Sequence, residues 1–395
     1  MKIIQYCQHV LGIGHLFRSL EISRALSDHE VILVTGGPRV ATALPENVRE
    51  VRLPDLQMNR EFKGLFSSRG DASLDQIKEE RQKRLFALFE REKPDIFLVE
   101  LYPFGRKAFR FELDPVLQAI GNKELFACGV VCSVRDILVE KEDKVKHESR
   151  AVKTLNSYFD AVLVHADPSL AQLNETFNQF DEIEIPVVYT GYIARKPAPD
   201  AGQKIREQLQ LESDEFLIIA SAGGGNVGAP LLQAVIQAFN QLEMRQPCRM
   251  KVFTGPFLEH GEFDRIYKLV GKHVQMEQFT ADFLSYLAAA DLSVSMGGYN
   301  TTMNILATGV PALVWPFPQN REQRLRAGRL ADLGVLRVLE DEDLLHPDRL
   351  AVIMDQWISR STRPSVNINL NGAANTARWI ENRVKNRGLE GQALI

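Results

Sequence analysis

Short runs of valine, isoleucine and leucine recur along the chain, each followed by a turn and an amphipathic stretch. IIQYC opens the series, a glycine-rich turn follows, and LFRSLEISRALSD reads as a helix. EVILVT is a short buried strand and REVRLP another candidate. DQIKEERQKRLFALFERE is a long amphipathic helix that ends before PDIFLVE, a continuous apolar strand. LFACGVVC and DAVLVHA are further strands, with KVKHESRAVKTLNSY as the helix between them. Apolar strands alternating with helices predict a parallel sheet covered on both faces.

The pattern breaks near Gly191. GYIARKPAPDAG carries two glycines with Pro197 and Pro199 and reads as a linker. Then the alternation restarts: EFLIIASAGGG and APLLQAVIQAFNQL are strand and helix, followed by the strands RMKVFTG and HVQMEQF. ADFLSYLAAA, NTTMNILATG and NREQRLRAGRLADLG are helices, interleaved with the strands DLSVSM, PALVWPF and VLRVLE. The expected organisation is therefore α/β: a doubly wound Rossmann-like domain over 1–190, a linker over 191–200, and a second such domain over 201–365. A terminal segment, 366–395, carries a helix that could pack back on the first domain. Two such domains leave a central cleft that the carboxyl ends of both sheets can face, and ligands bind at such ends.

Composition narrows the function. A chain of 395 residues suits two domains. With 47 basic and 51 acidic residues the net charge is −4, which disfavours nucleic acid as the main partner. No apolar run approaches the roughly 20 residues of a membrane span. MKIIQYC reads as a strand without a signal peptide's apolar region and cleavage site, so a cytoplasmic protein is expected. Cys7, Cys128, Cys132 and Cys248 match no zinc spacing and are expected to be reduced thiols; no metal site is expected.

Three turns carry candidate chemistry. In QHVLGIGHLFR, Gly12 and Gly14 let the backbone approach a ligand. A dinucleotide fingerprint would need glycine at Phe17 and an acid near Thr35, so nicotinamide and flavin are disfavoured. His15, at the strand-to-helix turn, could take a proton from an alcohol or simply bond the helix terminus. Arg18 could meet an anion or a core carboxylate. In SAGGGNVG, Ser221 through Gly225 end a strand before a helix, which suits a phosphate or serves as a tight turn. In MGGYNTTMN, Gly297 and Gly298 precede Asn300, Thr301 and Thr302 at another helix start, a second anion site. Glu322 and Gln323 follow the next strand; a carboxylate beside an amide can grasp vicinal hydroxyls or begin a helix. Glu100 ends PDIFLVE and Asp136 follows Arg135; either could assist His15 or form an ion pair.

Together these residues resemble the nucleotide-sugar half of GT-B glycosyltransferases. One likeness is to the peptidoglycan N-acetylglucosaminyl transferase type. Another is to the plant and antibiotic natural-product branch, whose His-Cys-Gly-Trp-Asn-Ser…Glu…Gly-Val-Pro…Asp-Gln box is paralleled here by MGGYNTTMN, GVP and EQ. The whole chain also resembles a bacterial group of predicted glycosyltransferases with GxGHxxR, SxRDIL and MGGYNT signatures, present here as GIGHLFR, SVRDIL and MGGYNT. The resemblance implies the GT-B fold and a metal-independent, inverting transfer of a sugar from a nucleotide diphosphate donor, with no other cofactor. It implies that Gly224, Gly225 and Asn226 border the diphosphate, with Gly298, Asn300 and Thr301 at its oxygens. Phe279 and Thr280 would hold the base, and Glu322 and Gln323 would read the sugar hydroxyls. His15 would be the general base, with Gly14 and Arg18 on the acceptor or phosphate side.

Two residues depart from that pattern. Met296 stands where the natural-product box has a phosphate-binding His. Asn304 stands where a Glu binds the ribose hydroxyls; an uncharged amide bonds a hydroxyl more weakly, so UDP-sugar stays the first choice and dTDP-sugar becomes a real second. Competing readings are a nucleotide-sugar epimerase or hydrolase on the same fold, and a non-catalytic GT-B-like helper. The acceptor is unidentified. REFKGLFSSRG, residues 60–70, is either a lid, a peripheral membrane contact or an ordinary surface loop, and FGRKAFRFE offers Arg106, Lys107 and Arg110 to an anionic acceptor or to solvent.

Overall fold

A computed structural model describes residues 1–9, 14–37, 39, 42–58, 64–67, 72–138, 143–225, 227–242, 247–359 and 366–392. The chain divides into two compact units: unit 1 is Met1–Ile193 with Ile368–Ile395, and unit 2 is Ala194–Asn367. Gly191, Tyr192 and Ile193, read from sequence as linker, belong to unit 1, where Tyr192 and Ile193 are buried.

Unit 1 begins with β1 (Lys2–Tyr6), α1 (Gly14–Ala25), β2 (Glu30–Thr35) and β3 (Val48–Arg52). A small hairpin, β4 (Gln57–Met58) and β5 (Leu65–Phe66), precedes α2 (Leu74–Glu92). Then come β6 (Ile96–Glu100), α3 (Arg110–Gly121), β7 (Gly129–Arg135), α4 (Lys144–Tyr158), β8 (Ala161–His165) and β9 (Val187–Tyr189). The seven-stranded sheet runs β3-β2-β1-β6-β7-β8-β9 with every neighbour parallel. Its central strands are buried on both faces, as their unbroken apolar runs require. Local signals fix the helices: α2 starts on a Ser73–Gln76 capping box and stops at Lys93, left-handed and followed by Pro94.

Unit 2 contains α5 (Ala201–Gln208), β10 (Phe216–Ser221), α6 (Ala229–Asn240), β11 (Cys248–Phe253), α7 (His260–Tyr267), β12 (Val274–Glu277) and α8 (Phe283–Ala289). It continues with β13 (Leu292–Met296), α9 (Tyr299–Thr308), β14 (Ala312–Trp315), α10 (Arg321–Asp332), β15 (Leu336–Val338), α11 (Asp341–Leu345) and α12 (Pro347–Ile358). Its six-stranded parallel sheet runs β12-β11-β10-β13-β14-β15. One face packs Ile218, Ala220, Val294 and Met296 against α6 and α12.

The last helix, α13 (Gly372–Gln392), lies on unit 1, where Ala377 and Ile380 join Leu16, Leu20 and Ile22 of α1 in one core. Gly372 allows the crossing: a Cβ there would sit 2.2 Å from the Gly191 carbonyl oxygen. In each sheet the strand order reverses once, between β1 and β6 in unit 1 and between β10 and β13 in unit 2. The loops after those strands are where doubly wound sheets hold ligands.

Candidate functional site

At the unit 1 reversal, the first turn of α1 meets the end of β6. His15 Nδ1 lies 2.5 Å from Glu100 Oε1, and Arg18 Nη2 donates to the same oxygen at 2.8 Å. Arg18 Nη2 is also 3.0 Å from His15 Nδ1. The loop beyond β6 curls sharply: Leu101 and Arg106 both take positive φ, at 67° and 56°. Gly105 permits the curl, since a Cβ there would lie 2.8 Å from Leu101 Cγ. The result brings Arg106 Nε to 3.8 Å from Glu100 Oε2. Non-glycine residues held in this region concentrate at functional sites, where surrounding structure enforces the strain.

The charges decide the protonation states. Desolvation, with help from Arg106 and Arg18, outweighs the attraction of Glu100 and holds the His15 imidazole below its ordinary value. Burial alone would raise the Glu100 carboxyl, but His15, Arg106 and Arg18 together hold it below the usual carboxylate range. Glu100 is therefore an anion and His15 is neutral. With Nδ1–H donated to Glu100, Nε2 carries the lone pair. The His15 side chain is 19% exposed while Glu100 and Arg18 are 3% and 4% exposed, so only the base reaches outward.

Next to Glu100 lies a polar set that sequence reasoning missed. Glu100 pairs with Ser133 across β6 and β7. Ser133 Oγ and His165 Nε2 are 2.6 Å apart, and His165 Nδ1 is 2.9 Å from Thr190 Oγ1. Asn375 of α13 donates to the Thr190 carbonyl at 2.8 Å. The available signal was a polar residue ending an apolar strand run, as in GVVCS and VLVH. Asp136, one residue past β7, is fully buried.

His165 is fully buried, and desolvation first, then Arg18, lowers its pKa from 6.5 to about 3. Between those values the unfolded chain binds a proton that the folded chain refuses. Stability therefore falls as pH drops below about 6.5, by about 1.4 kcal/mol per pH unit, and levels off near the folded value. Urea unfolding of wild type and His165→Asn at pH 7 and pH 5 tests this; equal pH slopes would remove His165 from the account.

The ends of β1 and β2 rest on a second buried network. Arg81, fully buried, donates Nε and Nη2 to Glu112 at 2.7 Å each, and Nη1 to the Pro54 carbonyl at 2.6 Å. Tyr6 donates its hydroxyl to Glu112, and Gln8 accepts from Arg81 Nη2 at 3.1 Å. Gly36 is required here, because its Cβ would stand 2.2 Å from Arg81 Nη1.

At the unit 2 reversal, the glycine turn has reasons that differ residue by residue. Gly223 and Gly225 take φ of 62° and 91°. A Cβ on Gly225 would strike the Thr254 carbonyl oxygen at 2.6 Å, and one on Gly228 would strike Ala222 Cβ at 2.2 Å and approach Met296 Sδ at 3.1 Å. Gly224 has neither constraint: its φ is outside the left-handed region and its Cβ would meet only Phe257 Cδ2, at 3.7 Å. Gly298, the N-cap of α9, is similarly open, with only Thr301 Oγ1 at 3.9 Å. Neither helix α6 nor α9 has a side-chain cap bond, and the positive end of a helix attracts an anion. Gly224→Val is expected to leave unfolding unchanged while weakening nucleoside diphosphate binding about tenfold or more. Gly225→Ala is expected to cost about 1–3 kcal/mol of stability. Parallel urea melts and calorimetry check both; a destabilised Gly224→Val would sink the distinction.

The remaining expected residues lie on α9, on α10 and in the segment after β12. Asn300, Thr301 and Asn304 lie half-buried on α9. Gln323 accepts from the Phe317 backbone N–H at 3.0 Å through Oε1, leaving its amide NH2 to donate elsewhere. Glu322 is buried and accepts from Arg326 Nη2 at 2.6 Å, and Arg326 stacks 5.1 Å over the Tyr299 ring, so Glu322 braces the start of α9. Phe279 is exposed after β12, and Thr280 accepts from the Asp282 N–H. Gly12, Asn226, Arg60, Phe62, Lys63 and Arg69 lie outside the described residues. Cys7, Cys128, Cys132 and Cys248 form no disulfide. Among the described residues no group of three His, Cys, Asp or Glu is placed to hold a metal ion, and no helix is long and apolar enough to cross a membrane.

Comparison with known proteins places the fold among glycosyltransferases. Residues 220–380 match the glycosyltransferase family 28 C-terminal domain. The chain is 24% identical over 315 residues to the NDP-glycosyltransferase YjiC of Bacillus licheniformis, covering 76% of this chain and 74% of that one. It is 30% identical over 192 residues to the UDP-N-acetylglucosamine–N-acetylmuramyl-(pentapeptide) pyrophosphoryl-undecaprenol N-acetylglucosamine transferase of Vibrio vulnificus, covering 46% of this chain and 53% of that one. The structure of Phytolacca americana UGT2 complexed with UDP-2-fluoroglucose and pterostilbene superposes with a TM-score of 0.60 at 15% identity, over 97% of this chain and 94% of that one.

Proposed function

We propose that this GT-B glycosyltransferase moves a sugar from a nucleoside diphosphate donor to an acceptor hydroxyl by one inverting displacement that needs no metal. The observation that carries the reading is a neutral His15, oriented through Nδ1 by an anionic Glu100, with Nε2 as the base. Nε2 takes the acceptor proton as the acceptor oxygen bonds to the anomeric carbon and the bond to the diphosphate breaks. Glu100 then faces an imidazolium and stabilises it. The turn at Gly224, where no side chain intrudes, and the positive N-terminus of α9, with Thr301 beside it, receive the charge on the departing diphosphate. Attack opposite the leaving group inverts the anomeric centre. Asn304 and the Gln323 amide read donor hydroxyls.

A UDP-linked donor is favoured by the relatives: the Vibrio vulnificus transferase is named for UDP-N-acetylglucosamine, and the Phytolacca americana structure holds UDP-2-fluoroglucose. Asn304, uncharged, makes dTDP the second choice. Calorimetric titration with UDP, dTDP and GDP, with EDTA present, tests this site. UDP should bind best, and Thr301→Ala should weaken it by about tenfold, the worth of one charge-assisted hydrogen bond. Failure of all three nucleotides to bind would end the donor assignment. Tight binding only when divalent metal is restored would end metal independence.

A further inference from the structure

Away from the His15–Glu100 cluster, unit 1 has a cavity of about 420 Å³ between α3 and α4, within the size range of small-ligand sites. Helix spacing builds its walls: His147, Arg150, Thr154 and Ser157 repeat at three- and four-residue intervals along α4, and Arg110, Asp114 and Gln118 do so along α3. Tyr102, Pro103 and Lys107, from the connection that follows β6, close one end. The wall is strongly cationic. Its single carboxylate, Asp114, is already engaged by Arg110 at 3.0 Å and by the Tyr102 hydroxyl. Lys107, Arg150 and Lys153 make no ion pair with any described carboxylate, so three positive charges surround the cavity without compensation. Between them stand uncharged hydrogen-bonding groups: the Gln118 amide and the hydroxyls of Thr154 and Ser157. The His147 ring is fixed by its Nε2–H, which donates to the Phe104 carbonyl at 2.9 Å, and its Nδ1 remains for a ligand.

We propose that this cavity binds a phosphate ester of a polyhydroxylated compound, the phosphate at Lys107, Arg150 and Lys153 and the hydroxyls at Gln118, Thr154, Ser157 and His147. Cations that lack partners at a concave wall supply an anion with charge, and the neutral groups between them match alcohols rather than apolar ligands. Such an ester exists free, as a sugar phosphate, or as a lipid headgroup such as phosphatidylglycerol. The site shares no residue with the proposed donor and base machinery, so it stands or falls separately.

The full chain is titrated calorimetrically at low salt with glucose 1-phosphate and with glucose, and is sedimented with vesicles of phosphatidylglycerol or phosphatidylcholine. Three proteins are compared: wild type, Lys107→Gln/Arg150→Gln/Lys153→Gln, and Gly224→Val. All three replaced cations are exposed, so the triple variant should fold, which its circular dichroism checks. Glucose 1-phosphate should bind wild type and Gly224→Val alike and the triple variant about tenfold more weakly, with glucose silent. Selective loss of phosphatidylglycerol sedimentation in the triple variant would identify the lipid headgroup as the source. The proposal is overturned if neither probe binds wild type, if the triple variant binds as wild type does, or if Gly224→Val abolishes the binding, which would place the ester in the donor site instead.

Discussion

His15→Ala is expected to lower the turnover of glycosyl transfer by roughly 10²–10⁴-fold while nucleoside diphosphate affinity stays unchanged. Alanine removes the only group of the cluster that reaches outward and carries a lone pair. Glu100 and Arg18 remain buried together, so their ion pair persists and the local fold with it. A weakly basic imidazole suits this reaction. The acceptor hydroxyl becomes strongly acidic only as its oxygen bonds to the anomeric carbon, so the proton moves late and meets Nε2 when Glu100 can stabilise the cation. Glu100→Gln should then lower turnover too, because the neutral amide cannot stabilise the imidazolium. Because burial keeps His15 neutral, turnover should show no acid limb with a midpoint near 6.5. Release of nucleoside diphosphate at saturating donor and acceptor measures all three. Turnover of His15→Ala within about threefold of wild type would remove His15 as the base, and an acid limb near 6.5 would refute the electrostatic account.

The largest effect on stability is expected at Glu112. Glu112→Ala leaves the Arg81 guanidinium inside unit 1 with its charge unmatched, and breaking a buried pair from one side costs about 3–5 kcal/mol. The remaining partners of Arg81, the Pro54 carbonyl and Gln8, are neutral and cannot replace a bidentate carboxylate. Arg81→Met/Glu112→Leu removes both charges and should recover most of the loss, since Phe109 and the surrounding apolar side chains accept a hydrophobic pair. The midpoint of urea unfolding, followed by circular dichroism, separates the cases. A loss below about 1 kcal/mol in Glu112→Ala, or a double variant as unstable as the single one, would show that the pair does not support the ends of β1 and β2 as argued.

Much of the fold was legible because its strands are buried on both faces. EVILVT, PDIFLVE and DAVLVHA contain continuous apolar runs, and each is a parallel strand. The reading slipped where burial is one-sided. LFACGVVC places the seventh strand too early; it spans Gly129–Arg135, and Phe126 is 60% exposed. Val187–Tyr189 went unnoticed because three half-buried residues at a sheet edge give no run. The helix Pro347–Ile358 was also passed over, although proline in its first turn and an apolar stripe were present in the sequence.

The two parallel sheets, the turns that end their central strands, and the presence of His15, Glu100, the glycine run and MGGYNT at those turns are readable from residue order alone. These follow from period and local turn chemistry, which act over a few residues. What each residue meets is set by packing between distant parts of the chain. Parallel pairing sets strand ends side by side across long stretches of chain, which is how His15 finds Glu100 and how Ser133, His165 and Thr190 form one hydrogen-bonded row. It also divided the glycine run. Gly225 and Gly228 answer to Thr254, Ala222 and Met296, leaving Gly224 as the residue whose side chain is absent without a packing reason. Glu322 meets Arg326 through four-residue helical spacing, and it is tertiary packing that sets Arg326 over the Tyr299 ring.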